Sequence, residues 1–152
     1  MIKKLVLAGI FSVCCLPAVN AADNGMISVK SNFPVGHTAD RFIGIIKKKG
    51  MRVMAHVKHS EAAKKVGIDL QPEELVIFGN PKLGAPMMKC APTLGIDLPQ
   101  KMLIWQDENQ QTWLTYNNPV YIADRHNLPQ DCRENLHKIA NALAKFSALA
   151  AE

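Results

Sequence analysis

The chain has 152 residues, with 18 lysines and arginines against 13 acidic residues and a formal net charge of +5 at pH 7. This length predicts one domain. A positive charge this small is typical of an ordinary solvated protein surface. The longest basic run in the chain, residues 47–49, falls at the end of a predicted helix, where cations interact favourably with the helix dipole. We therefore expect no binding to nucleic acid.

The N-terminus is typical of an export signal. Lys3 and Lys4 precede an apolar run over residues 5–16, and residues 19–21 fit the small-x-small cleavage pattern. The run is well short of the ~20 residues that a membrane span needs. We predict that residues 1–21 are a signal peptide, and that the mature protein is periplasmic or secreted with no membrane span.

Two cysteines, Cys90 and Cys132, remain after this cleavage. In an oxidising compartment such a pair is first interpreted as a disulfide. The alternative is that one or both are free thiols, either buried or bound to a ligand.

Apolar periodicity, caps and turn residues predict the remaining elements. In chain order they are a strand at 26–32, a helix capped by Thr38 and stopped by Gly50, a strand at 51–59, a short helix at 61–66 capped by Ser60, a strand at 75–78, helical turns within 82–91, a hairpin of strands 101–106 and 112–116, a helix at 119–126, and a last helix opened by Pro129.

This order favours an α+β domain, with an antiparallel-rich sheet of about five strands and the helices gathered on one face. On the hairpin strands, Trp105, Trp113 and Tyr116 could belong to the core or line a second face used for dimerisation. No internal repeat or interdomain linker is present.

Several side chains could carry a site. His56 and His59, in the sequence HVKH, converge only if the chain bends between them. With Met88 and Cys90 they form a candidate site for copper or zinc, because thioether, thiolate and imidazole are ligands of these metals. The alternative is packing and solvation of these side chains.

The turn Gly79-Asn80-Pro81-Lys82 is a second candidate. If Pro81 opens a helix, its free N–H groups and Lys82 could hold an anion. An ordinary strand-ending turn with an Asn cap fits equally well. For catalysis, Cys90 beside His56 is the one candidate pair, and Asp97 lies in a loop with no indicated partner.

Four segments resemble the DUF302 family, a domain of unknown function: AHVKH, ELVIFGNPKLGAPMM, GIDLPQKMLIW and YIADRHNL. The resemblance covers residues 26–128, which leaves 129–152 as a C-terminal helix packed on the domain. It implies a single-copy α+β fold similar to that of the TATA-box-binding protein, and a homodimer. It assigns no reaction. Lys58 stands where the family often has an acidic residue, which weakens a metal site at the histidines.

We therefore expect an exported accessory module that binds a small molecule or a periplasmic protein rather than catalysing a reaction. The alternatives are a copper- or zinc-handling protein and a thiol-dependent enzyme using Cys90. The residues expected to form the pocket are His56, His59, Asn80, Lys82, Arg125 and His126.

Overall fold

The structure is a computed structural model that describes residues 24–152 and the backbone of residues 19–21. The predicted signal peptide therefore lies largely outside the described residues. Among the described residues, no helix is long and apolar enough to cross a membrane.

The described chain forms one antiparallel sheet and five α-helices. The strands are β1 (Val19–Ala21), β2 (Met26–Ser31), β3 (Arg52–Lys58), β4 (Glu73–Gly79), β5 (Gln100–Gln106) and β6 (Thr112–Asn117). The helices are α1 (Val35–Lys48), α2 (His59–Lys64), α3 (Pro81–Cys90), α4 (Pro119–Arg125) and α5 (Leu136–Ala151), with short 3₁₀ helices at Pro92–Ile96 and Gln130–Cys132.

The strand order across the sheet is β1-β2-β6-β5-β4-β3, and every neighbouring pair is antiparallel. The predicted α+β class, single domain and five antiparallel strands are confirmed by β2 to β6. The three residues of β1 pair with β2 and precede the predicted cleavage point. Cleavage after Ala21 would therefore leave β2 at this edge.

The main core lies between one face of the sheet and helices α1 and α5. Phe42 of α1 meets Phe78 of β4 edge to face, with ring centroids 5.1 Å apart, and Leu143 and Phe146 of α5 belong to the same buried cluster. Tyr116 also belongs to this cluster, so it is a core residue and does not line a dimer face. A second cluster lies beneath α3 and α4, and Ile139 of α5 borders both clusters.

The opposite face of the sheet is only partly covered. Its apolar side chains are Val57, Leu75, Ile77, Leu103, Trp105 and Trp113. Both indole N–H groups already donate hydrogen bonds, that of Trp105 to Thr115 Oγ1 at 2.8 Å and that of Trp113 to Asp107 Oδ2 at 2.9 Å. The rings therefore present mainly apolar surface.

Two predicted caps are wrong. Thr38 lies inside α1, where its hydroxyl donates back to the carbonyl of Pro34 at 3.1 Å. Ser60 lies inside α2, where its hydroxyl accepts from the N–H of Glu73 at 3.3 Å. In both cases a hydroxyl that could cap a helix forms a different hydrogen bond, to a backbone carbonyl one turn back for Thr38 and to the next strand for Ser60.

Two further predictions need correction. Pro129 does not open the last helix, which begins at Leu136 after the 3₁₀ turn. In β3 the register shifts between Val53 and Ala55. This bulge places Val53 against the main core, so it does not share a face with Ala55 as simple alternation predicted.

Candidate functional site

A cavity of about 390 Å³ lies where α3 and α5 meet the β3–β4 edge of the sheet. This is within the size range of pockets for small molecules. Eighteen residues line it: Met51, Met54, Phe78, Gly79, Asn80, Pro81, Leu83, Gly84, Met87, Met88, Leu98, Pro99, Gln100, Lys138, Ile139, Ala142, Leu143 and Phe146. Among them only Asn80, Gln100 and Lys138 have polar side chains, so the cavity is strongly apolar.

The Gly79-Asn80-Pro81 turn forms one wall of the cavity. The Asn80 side chain caps α3 by accepting from the N–H of Lys82 at 3.0 Å, and Pro81 is the first residue of the helix. The predicted turn with an Asn cap is therefore confirmed. At Gly79 a Cβ would lie 3.4 Å from Cβ of Pro99, at the limit of ordinary van der Waals contact, so this turn and Pro99 pack close together.

Methionines form much of the remaining wall. Met51 and Met54 come from β3 and the residue before it, whereas Met87 and Met88 come from α3. Met87 is also part of the second hydrophobic cluster. Unbranched thioether side chains adjust to different shapes at low cost, so this wall can accommodate more than one occupant.

The far wall is α5, which lies against the main core through Leu143 and Phe146. Cys90, the last residue of α3, is bonded to Cys132 in the turn before α5. The disulfide thus ties α3, which forms one wall, to the turn that leads into α5, which forms another. In this state Cys90 is neither a nucleophile nor a thiolate ligand for a metal.

Arg125 and His126 do not line the cavity, but they form hydrogen bonds to the segment that carries one of its walls. His126 bridges Asp97, with Nε2 and Oδ2 2.6 Å apart, and Thr93, with Nδ1 and Oγ1 2.9 Å apart. Arg125 donates to Asp97 more weakly, at 3.4 Å. Asp97 directly precedes Leu98 and Pro99, which line the cavity. The sequence indicated no partner for Asp97, and the structure supplies His126 and Arg125.

His56 lies near the other end of the same sheet edge. Its Nε2 is 2.6 Å from Oε2 of Glu74, which lies beside it on the helix-covered face of β4. The sequence does not reveal this pairing, because the predicted strand begins at residue 75 and leaves Glu74 in the preceding loop, whereas β4 begins at Glu73. Glu74 is almost fully buried, so the pairing with His56 satisfies a carboxylate that burial would otherwise make costly.

Of the six residues expected to form the pocket, the structure places only Asn80 in the wall of this cavity. His59 begins α2, and Lys82 is exposed near the start of α3. Among the expected metal ligands, Met88 lines the cavity and Cys90 is in the disulfide. Within the part of the chain that the structure describes, no three His, Cys, Asp or Glu side chains form a group that could hold a metal ion.

Tyr116, Asp107 and Lys58 each have a pKa displaced from its ordinary value, and these three residues lie outside the cavity lining. Burial raises the pKa of Tyr116. The hydrogen bond from Trp113, assisted by the backbone N–H of Gln111, lowers the pKa of Asp107. The hydrogen bond to Glu61 raises the pKa of Lys58. The chemistry of the cavity therefore rests on shape and apolar surface, with Lys138 as its one charged group among the described residues.

Fold and cavity together define a single-domain α+β protein with an apolar, methionine-rich cavity of ligand size. The chain belongs to the DUF302 family, "Domain of unknown function DUF302", which matches residues 27–146. The match confirms the resemblance read from the sequence. It extends into α5, which supplies one wall of the cavity.

Relatives and a solved structure agree with this assignment. The fluoride-specific ion channel FluC 1 of Brucella suis biovar 1 (strain 1330) is 40% identical over 112 residues, which are 74% of this chain and 44% of that protein. FluC 1 of Brucella abortus biovar 1 (strain 9-941) is also 40% identical over 112 residues, here 42% of the relative. The match thus spans less than half the length of these curated relatives.

The crystal structure of an uncharacterized conserved protein DUF302 from Bacillus stearothermophilus matches 83% of this chain and 98% of that chain, with a TM-score of 0.74. At 20% identity this likeness shows the fold alone.

Proposed function

We propose that the protein is an exported binding module that holds a small apolar ligand in the cavity between α3, α5 and the sheet edge. The observation that carries the proposal is the cavity itself, with its size of about 390 Å³ and its largely apolar lining. Water gains few hydrogen bonds in such a space. An apolar molecule that replaces this water gains roughly 25 cal/mol for each Å² of surface buried.

Export is supported by two independent features. The N-terminal residues have the pattern of a signal peptide, and the Cys90–Cys132 disulfide is a bond that persists in oxidising compartments and is rare in the cytosol. A periplasmic or secreted protein with an apolar cavity suits the binding of a poorly water-soluble molecule.

The test is to fill the cavity with a side chain. Ala142 lines the cavity on α5, whereas Ala144 is exposed on the same helix. We expect Nile red, a neutral apolar dye, to fluoresce with the wild type and with Ala144→Phe, but not with Ala142→Phe. Thermal melts would establish that both variants fold. Dye binding retained by a folded Ala142→Phe would refute the proposal.

We further propose that two copies of the chain associate through the partly covered face of the sheet. The support is its continuous set of apolar side chains, which includes Leu103 and two tryptophans whose N–H groups are already satisfied. Aromatic side chains of this kind are enriched at protein interfaces. A second copy would cover the face that the helices leave open.

The oligomeric state tests this association. We expect light scattering to give a dimer for the wild type and a monomer for Leu103→Lys, which puts a charge at the centre of the face. Val66→Lys is the matched control, because Val66 is an exposed apolar residue in the turn after α2. A monomeric wild type, or a dimer that survives Leu103→Lys, would refute the proposal.

A second candidate function rests on the Brucella relatives. Both are named fluoride-specific ion channels, and more than half of each lies outside the matched segment. A segment that this chain shares with proteins named as fluoride channels can act on such a channel as a partner. Deleting the gene in its host should then slow fluoride efflux, and unchanged efflux would exclude this role.

A further inference from the structure

The lining of the cavity changes from buried apolar side chains at one end to an exposed charged side chain at the other. Phe78 and Leu143 are almost fully buried and Phe146 is nearly so, so this part of the wall belongs to the main core. The Lys138 side chain, which also lines the cavity, is 71% exposed. A ligand that lies along this direction would have one end in the core and the other end in water.

Lys138 is the one charged side chain among the described residues that line the cavity. Among the residues that the structure describes, its ammonium group has only distant partners, Asn135 Oδ1 at 3.4 Å and Glu134 Oε1 at 3.9 Å. Contacts of this length between exposed groups contribute little. The ammonium is therefore available to a ligand at the rim.

The surroundings of Lys138 favour an anion over a cation. The residue is in the first turn of α5, a turn without acidic residues, although acidic side chains are those that suit the positive end of a helix. No carboxylate of the described residues lines the cavity, and the remaining polar side chains there are the amides of Asn80 and Gln100. The Asn80 oxygen is already used as the cap of α3.

We propose that the ligand is a single-chain anionic amphiphile, such as a fatty acid, with its carboxylate at Lys138 and its hydrocarbon chain along the methionine wall. This inference rests on the proposed function. The four methionines explain how chains of different length and shape can be held, because thioether side chains repack readily. The carboxylate remains partly in water, so the lysine sets the direction of the ligand more than the affinity.

A series of straight-chain carboxylates and the alcohols of equal length tests this inference by calorimetric titration. Each buried methylene contributes about 0.8 kcal/mol, so the affinity should rise about fourfold per carbon from about six to about twelve carbons. In the wild type each carboxylate should bind about two- to fivefold more tightly than its alcohol, as expected for one exposed ion pair. Added salt should reduce this preference.

The matched variants are Lys138→Gln and Lys145→Gln. Lys145 is also an exposed lysine of α5 but does not line the cavity. The preference for carboxylates should disappear in Lys138→Gln and persist in Lys145→Gln. Alcohols that bind as tightly as carboxylates in the wild type, or a preference that survives Lys138→Gln, would overturn the inference while leaving the apolar site intact. Absence of binding by both series would overturn the proposed function as well.

Discussion

Removal of the Cys90–Cys132 disulfide should lower the free energy of unfolding by about 4 kcal/mol. The two cysteines are 42 residues apart, and closing a loop of this length restricts the unfolded chain by roughly that amount. The perturbation is the double variant Cys90→Ser, Cys132→Ser, in which no unpaired thiol is left to form other bonds. Its melting temperature should fall by on the order of 15 °C.

Urea unfolding followed by circular dichroism gives the free energy of unfolding, and reduced wild type is the control with an unchanged sequence. Reduced wild type and the double variant should unfold at similar urea concentrations, both below the oxidised protein. Because the bond ties α3 to the turn before α5, the reduced wild type and the double variant should also bind Nile red more weakly. A loss of stability below about 1 kcal/mol would refute the reasoning, since the loop would then restrict the unfolded chain far less than its length requires.

Four other substitutions test the packing and the hydrogen bonds. Phe42→Ala removes a fully buried ring that packs on Phe78 and should cost about 3–5 kcal/mol of stability in urea unfolding. His126→Ala leaves the mostly buried Asp97 carboxylate without its nearest partner. This substitution should cost about 1–3 kcal/mol of stability and weaken Nile red binding. Arg125→Ala removes an exposed contact and should cost less than about 1 kcal/mol. Because the pKa of Asp107 is lowered in the folded state by Trp113, its contribution to stability is present above about pH 4 and is lost as the pH falls through the lowered pKa. Asp107→Asn should therefore flatten the acid side of the plot of stability against pH, and an unchanged acid side would show that this hydrogen bond does not govern it.

Local signals in the sequence were sufficient for most of the fold. The apolar run that forms β4, the hairpin of β5 and β6, and the stop of α1 at Gly50, whose φ is 75°, all depend on neighbours along the chain. The Asn80 cap and the start of α3 at Pro81 are equally local. The pairing of Cys90 with Cys132 could be predicted because two cysteines allow one intramolecular bond.

The errors occur where distant residues compete with a local preference. Ser60 could cap a helix, but its hydroxyl accepts from Glu73, which lies on the next strand. The bulge in β3 turns Val53 toward the core, a choice that depends on packing against α1 and β4. No spacing rule in the sequence indicates either contact.

The sequence by itself determined the family, the α+β class and the turn that caps α3, because each depends on short patterns of residues. Only the tertiary structure decided where a ligand could bind. The cavity walls come from β3, α3, the segment before β5 and α5, and the residues that line them extend from Met51 to Phe146. The pairing of His56 with Glu74 and of His126 with Asp97 likewise follows from elements meeting in space. Histidines and an arginine are natural candidates for a site in a sequence because their side chains can bind ligands. An apolar cavity, by contrast, arises from ordinary core residues that leave a space between them.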